Sequence, residues 1–170
     1  MRSVLEYVCE IWGDGELWDF EQLQVQMGRK ILRCPSTTTS EVVLGELGWE
    51  SMKARRDEMR LRYWGKLIRM EDHRIPKIVY RQSKIRMSLE EEGKTELTAT
   101  WCKYTKRLLH QLGLGDYWES ENLPEQGEWE GLIRERIHLR EEEDWKHEMK
   151  ERSKLRTYIT LKHKLERETY

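Results

Sequence analysis

Arg55, Arg62, Lys66 and Arg69 follow one another at intervals of 7, 4 and 3 residues in the stretch MKARRDEMRLRYWGKLIRM. That spacing lines four cations along one ridge of an α-helix. Guanidinium forks meet phosphate oxygens two at a time, and an ammonium adds a point charge. Such a ridge can therefore follow a nucleic-acid backbone without reading its sequence. Four phosphate contacts on a duplex would give a slope of about −3.6 in log K against log salt. The plainer reading is a solvated face on which Glu58 and Arg62 form an ordinary i, i+4 pair worth a few tenths of a kcal/mol. Lys53, Arg56 and Arg60 fall inside the apolar arc of the same helix. They are expected to serve structure, either laying their stems along apolar surface or pairing with acids elsewhere.

Other chemistry is harder to assemble. No glycine-rich phosphate loop, G-x-S-x-G elbow or H-E-x-x-H motif occurs. His73, His110, His138, His147 and His163 are scattered. His147 and Glu143 share a helix face, as surface residues do. The run Glu141-Glu142-Glu143-Asp144 distributes its carboxylates around a helix, which predicts a solvated run rather than a metal site. Glu6 and Glu10 have i, i+4 spacing with nothing nearby for acid–base work. Cys9, Cys34 and Cys102 are odd in number, far apart and without a C-x-x-C, which disfavours a disulfide framework or a cysteine zinc site. The expectation is a chain that is no enzyme by itself, with no catalytic residue, metal or cofactor.

The elements that must carry the ridge can be read from periodicity. With Met52 at 0° and 100° per residue, Met59, Tyr63, Leu67 and Met70 fall between about 340° and 60°. Trp64, Ile68, Leu61 and Ala54 extend that apolar arc to about 200°, and the ridge occupies about 260–320°. Ser51 is a plausible cap for this helix, expected over 52–70. Thr38 and Glu41 have capping-box spacing for a short helix over 41–47, closed by Gly48. A helix over 18–33 with Trp18, Phe20, Leu23, Met27, Ile31 and Leu32 on one face stops at Cys34-Pro35. Pro76 opens a helix over 76–87, expected to bear Ile78, Val79 and Ile85 inward and Lys77, Arg81, Lys84 and Arg86 outward.

Further on, Leu97, Trp101, Tyr104, Leu108 and Leu112 define a helix ending at Gly113 and Gly115. Residues 116–127 read as a polar loop around Trp118 and Pro124. Trp129, Leu132, Ile133 and Ile137 start another helix that reaches Trp145 and Met149. Residues 3–12 and 153–168 remain open between helix and strand. The fold class is all-α, a bundle of about six to seven helices or two small helical units. The expected division is a thumb-like basic unit over 1–87, a linker at 88–95 and a helical unit over 96–170.

Composition agrees with half-solvated helices. Apolar residues make up 37% and charged residues 37%, while eight tryptophans and seven tyrosines stand against one phenylalanine. The core therefore depends on large amphipathic rings. A net charge of −1 hides segregation. Residues 1–52 carry 4 basic and 9 acidic side chains, 53–86 carry 12 and 4, and 87–170 carry 15 and 19. The central block projects a positive field, aimed either at an external polyanion or at the chain's own acidic parts. No apolar run approaches the roughly 20 residues that span a bilayer. The N-terminus lacks a signal-peptide core, so an intracellular protein, cytoplasmic or nuclear, is expected.

The succession SVLEYVCEIWG, EQLQVQMGRKILRCPSTTTSEVVLGELGW and ARRDEMRLRYWGKLIRM resembles the region behind the catalytic palm in reverse transcriptases of non-LTR retrotransposons. WCKYTKRLLHQLGLGDYW and KLRTYITLKHKLERETY resemble later parts of the same polyproteins. The likeness is strongest over residues 3–70 and weaker over 88–130. It implies a thumb and helical linker that cradle an RNA/DNA template–primer. The family's aromatic-x-Asp-Asp turn and its zinc-knuckle cysteines have no counterpart in this sequence. The resemblance thus implies a part that grips the duplex without catalysing polymerisation, cut from a longer polyprotein, or a degenerate element remnant without retained activity. The competing expectation is a scaffold module in which exposed tryptophans of 101–145 bind a protein partner through the C-terminal helices.

Overall fold

The computed structural model describes residues 18–91 and 100–167. Residues 3–12, with Glu6, Cys9 and Glu10, lie outside the described residues, as do Leu97 and the second half of the 88–95 stretch. The protein is all-α: helices and one 3-10 turn cover 78% of the described residues, which contain no strand. The elements are α1 (Trp18–Leu32), α2 (Ser40–Leu47), α3 (Met52–Arg69), α4 (Ile75–Glu91), α5 (Thr100–Gln111), α6 (Gly115–Ser120), α7 (Gln126–Glu151) and α8 (Arg156–Leu161). The 3-10 turn, Ser153–Leu155, precedes α8. Among the described residues they form two compact units, one from 56–134 and one from 18–55 with 135–167.

Unit 56–134 is built on indole rings. Trp64 of α3 stacks on Trp118 of α6, with centroids 5.8 Å apart and planes 21° apart, and lies 5.6 Å from Trp129 of α7. All three rings are at most 1% exposed. This cluster explains α6, which occupies the start of the expected loop. Trp118 can reach Trp64 only if its segment folds inward, and one helical turn satisfies the backbone groups that go in with it. Gly65 gives Trp129 its place, since an added Cβ would sit 2.7 Å from the indole Cδ1.

Unit 18–55/135–167 gathers Trp145, Met149, Leu155 and Leu165 into a core, against which Val42, Tyr158 and Ile159 pack. Helix α2 ends as expected at Gly48, which takes a left-handed φ of 59°. Gly48 N–H donates to the Gly45 carbonyl at 3.3 Å and Trp49 N–H to that of Leu44 at 2.9 Å, which is the Schellman closure. At the other end, Thr39 rather than Thr38 is the N-cap, and its side chain makes no capping bond. Ser51 does cap α3, accepting from Ala54 N–H at 3.0 Å.

Helix α1 is rotated from its expected face. Gln24, Val25 and Gly28 are buried, whereas Met27 is 38% and Ile31 57% exposed. The cause is Gly28: Val43 Cγ1 and Leu47 Cδ1 of α2 press where a side chain would stand, so the helix turns its smallest residue to the contact. Of the 153–168 region, residues 153–161 form the 3-10 turn and α8, with Thr157 and Thr160 inside the helix.

Candidate functional site

The basic ridge divides between the units. Arg55, in the first turn of α3, belongs to 18–55 and is half-buried. Arg62, Lys66 and Arg69 belong to 56–134. Lys66 and Arg69 are exposed and Arg62 is half-buried. Arg62 Nη2 pairs with Glu58 at 3.1 Å, as its spacing predicts, and also with Glu130 of α7 at 3.5 Å. Arg69 donates from Nη1 to the Gly65 carbonyl at 3.0 Å and from Nη2 to the Pro124 carbonyl at 2.6 Å. Those two bonds hold the guanidinium at the helix end without using all five of its N–H groups.

The cations assigned to structure separate likewise. Arg56 and Arg60 are buried, the latter with its guanidinium carbon 4.3 Å from the Tyr104 ring centre. That geometry is a cation–π contact. Lys53 corrects the expectation: its side chain is exposed, while its backbone N–H donates to Glu21 at 2.7 Å. It lies in the first turn of α3, where Glu21 satisfies otherwise orphaned N–H groups of Met52 and Lys53.

Helix α4 is the largest departure from the sequence reading. Lys77, expected outward, is 4% exposed, and Lys84 is half-buried. Ile78, Val79 and Ile85, expected inward, are 44%, 57% and 53% exposed. Arg81 and Arg86 are exposed, as the spacing suggests. The inversion follows from the polar groups waiting inside. Lys77 Nζ donates to the Ile68 carbonyl at 2.9 Å, in the last turn of α3. Lys84 Nζ donates to Glu121 Oε1 at 2.6 Å and to the Trp118 carbonyl at 3.3 Å. Tyr80 donates to the same Glu121 oxygen at 2.9 Å and accepts from Trp64 Nε1 at 3.2 Å. Tyr80 and Met87 supply the apolar anchors of this face, each 3% exposed.

The electrostatics follow from this network. Burial pushes the Lys77 ammonium below its ordinary pKa, against the favourable charge of Glu121. Burial likewise raises the Tyr80 phenol. Burial opposes ionisation of Glu121, but hydrogen bonds from Lys84 and Tyr80 outweigh it and hold the carboxyl below the usual range. Burial raises Cys102 to about 11, leaving a thiol and no nucleophile at neutral pH.

The acidic run on α7 is not uniformly solvated. Helix α7 buries Trp129, Ile133, Ile137, Trp145 and Met149, a stripe with a step of four in which Glu141 takes the missing place. Glu141 accepts the Ser51 N–H at 3.1 Å, and burial raises its pKa against the bonds from Ser51. Glu142 pairs with His138 at 3.8 Å and with Lys146. Glu143 and Asp144 are exposed. Among the described residues, no group of three or more His, Cys, Asp or Glu is arranged to hold a metal ion. No helix among them is long and apolar enough to cross a membrane. Comparison with known protein-family models, curated proteins and solved structures finds no match to the chain.

Proposed function

We propose that the chain is a non-catalytic, nucleic-acid-binding helical module that grips a duplex by its backbone, in the manner implied by its resemblance to a reverse-transcriptase thumb and linker. One observation carries it: α3 keeps Lys66 and Arg69 on its open side, with Arg62 one turn away, while Arg56 and Arg60 of the same helix are buried. Exposed cations about one turn apart on one side of a helix suit successive phosphates. Arg62, neutralised in part by Glu58 and Glu130, contributes less than its two neighbours. A groove of exposed tryptophans is the weaker alternative, because Trp118, Trp129 and Trp145 are at most 5% exposed.

The test is titration of the full chain with a labelled RNA/DNA hybrid duplex over a range of salt. Log K should fall linearly with log salt. Replacing Lys66 and Arg69 by alanine should flatten the slope by about 0.9 per lost phosphate contact. Binding with an unchanged slope after alanine replaces Arg55, Arg62, Lys66 and Arg69 together would sink the proposal.

A further inference from the structure

The outward face of α4 has no role in the ridge or in the network beneath it. Ile75, Ile78, Gln82, Ile85 and Leu89 succeed one another at steps of three, four, three and four. These are the a and d positions of a heptad, the spacing of a seam that packs against another helix. All five are exposed in the structure, Ile75 at 75% and Leu89 at 37%. Val79, at a flanking position, adds to the stripe with 57% exposure. A contiguous apolar stripe of this kind marks an interaction surface rather than scattered exposed residues.

A cleft of about 290 Å³ borders the stripe on the Val79 side, lined by Tyr63, Leu67, Pro76, Val79, Tyr80 and Trp101 among others. Its lining is overwhelmingly apolar and suits one large aliphatic or aromatic side chain. The helix is held in this orientation by Lys77 and Lys84, whose bonds to Ile68 and Glu121 fix the inner face. The seam is therefore presented by a clamped helix.

The flanks decide what can dock. In heptad terms Arg74 and Arg81 occupy g positions and Arg86 an e position, and all three are exposed. A parallel pair of two copies would set Arg81 against the partner's Arg86. An antiparallel pair would set Arg74 and Arg81 of the two copies against each other. Both arrangements juxtapose like charges, which e and g positions use to exclude wrong partners. Self-association is thus disfavoured by the same residues that would welcome carboxylates. Gln82, the single polar a position, would select register through a polar side chain facing it.

We propose that the outer face of α4 docks an amphipathic helix of another protein, one that carries apolar a and d residues flanked by Asp or Glu at e and g. The partner's acids meet Arg74, Arg81 and Arg86, its seam covers Ile78 and Ile85, and one bulky residue fills the cleft beside Val79. This surface is separate from Lys66 and Arg69 in its residues and does not rest on the nucleic-acid reading.

The test uses the full chain and two synthetic three-heptad helices that share Ile and Leu at a and d, one with Glu and the other with Lys at every e and g. The Glu peptide should bind at least tenfold more tightly, with the difference shrinking at high salt. Arg81→Glu with Arg86→Glu should reverse the preference, at the small cost of the exposed Arg81–Asp72 pair. Ile78→Asp with Ile85→Asp should abolish binding of both peptides while leaving the helical circular dichroism intact, because both side chains are already exposed. Equal binding of the two peptides, or binding of neither, would overturn the proposal. So would a dimer of the chain alone that Ile78→Asp dissolves, which would make the face an interface between copies.

Discussion

Each unit meets one end of α3 with a charge of the sign that end favours. In 56–134 the group is Lys77, whose ammonium bonds to the Ile68 carbonyl in the last turn of α3. In 18–55/135–167 the groups are Glu21 and Glu141, whose carboxylates accept the N–H groups of Met52, Lys53 and Ser51 where α3 begins. The helix leaves orphan donors at its start and orphan acceptors at its end, and its dipole favours anions at the first and cations at the second. At these two sites charge is a device for ending a helix. The difference lies in compensation. Glu121 brings Lys84 and Tyr80 to one carboxylate, so that network stays ionised. Glu141 has Ser51 and a nearby Arg140, too little to offset its desolvation.

The largest test of that contrast removes the ring on which the first unit is assembled. Trp64→Ala should cost about 3–5 kcal/mol, the range for deleting a buried aromatic side chain. It should be read by denaturant unfolding, with hydrogen exchange showing lost protection in 56–134. A loss below about 1 kcal/mol would mean that the indole stack does not organise this unit.

In the second unit the sharpest single change is Gly48→Ala. It forces a Cβ into a left-handed conformation that costs about 1–2 kcal/mol. The new methyl would also stand 2.8 Å from the Glu166 carbonyl carbon. Thermal unfolding should reveal the loss, and tolerance of alanine there would remove the Schellman closure from the account.

Glu121→Gln and Glu141→Gln then make one substitution in two settings. The first breaks bonds to Lys84 and Tyr80 and should cost about 1 kcal/mol, toward the low end because Glu121 is a third exposed. The second replaces a carboxylate that burial already disfavours and should change stability by less than about 0.5 kcal/mol. Similar losses at both sites would break the comparison.

Acidity should divide the units in the same way. The folded pKa of Glu121 is depressed, so its contribution is present above the ordinary carboxylate pKa and disappears as pH falls through the lower folded value. Those of Glu141 and Glu148 are raised, by burial first in each case. Their contribution is present below the ordinary pKa and is lost as pH rises through the raised values. Hydrogen exchange followed by segment from pH 3 to 7 should show 18–55/135–167 gaining relative protection on the acid side and 56–134 losing it.

Much of the architecture was legible in the sequence because it is local. Ser51, Gly48 and the apolar spacing of 101–112 fix helices with information within one or two turns. The orientation of α4 was not legible, because its signal runs the other way. Ile78, Val79 and Ile85 look like a core face, and the lysines turn inward onto the Ile68 carbonyl, across a helix boundary, and onto Glu121, some 40 residues on. Helix α6 was missed because one residue, Trp118, holds it, and its partner Trp64 is distant in sequence. Of the ridge, the spacing identified the four cations, yet the second carbonyl on Arg69 and the second acid on Arg62 come from the 124–130 region. Local periodicity has no access to that neighbourhood.

The near-parallel stack of Trp64 and Trp118 has an optical consequence. Two indoles 5.8 Å apart with planes 21° from each other couple their electronic transitions, a coupling that exists only while the rings are held together. Folding of 56–134 therefore changes the tryptophan region of the circular dichroism spectrum, where Trp64 couples to Trp118 and to Trp129, 5.6 Å away. The chain carries an internal spectroscopic ruler for this unit that requires no label.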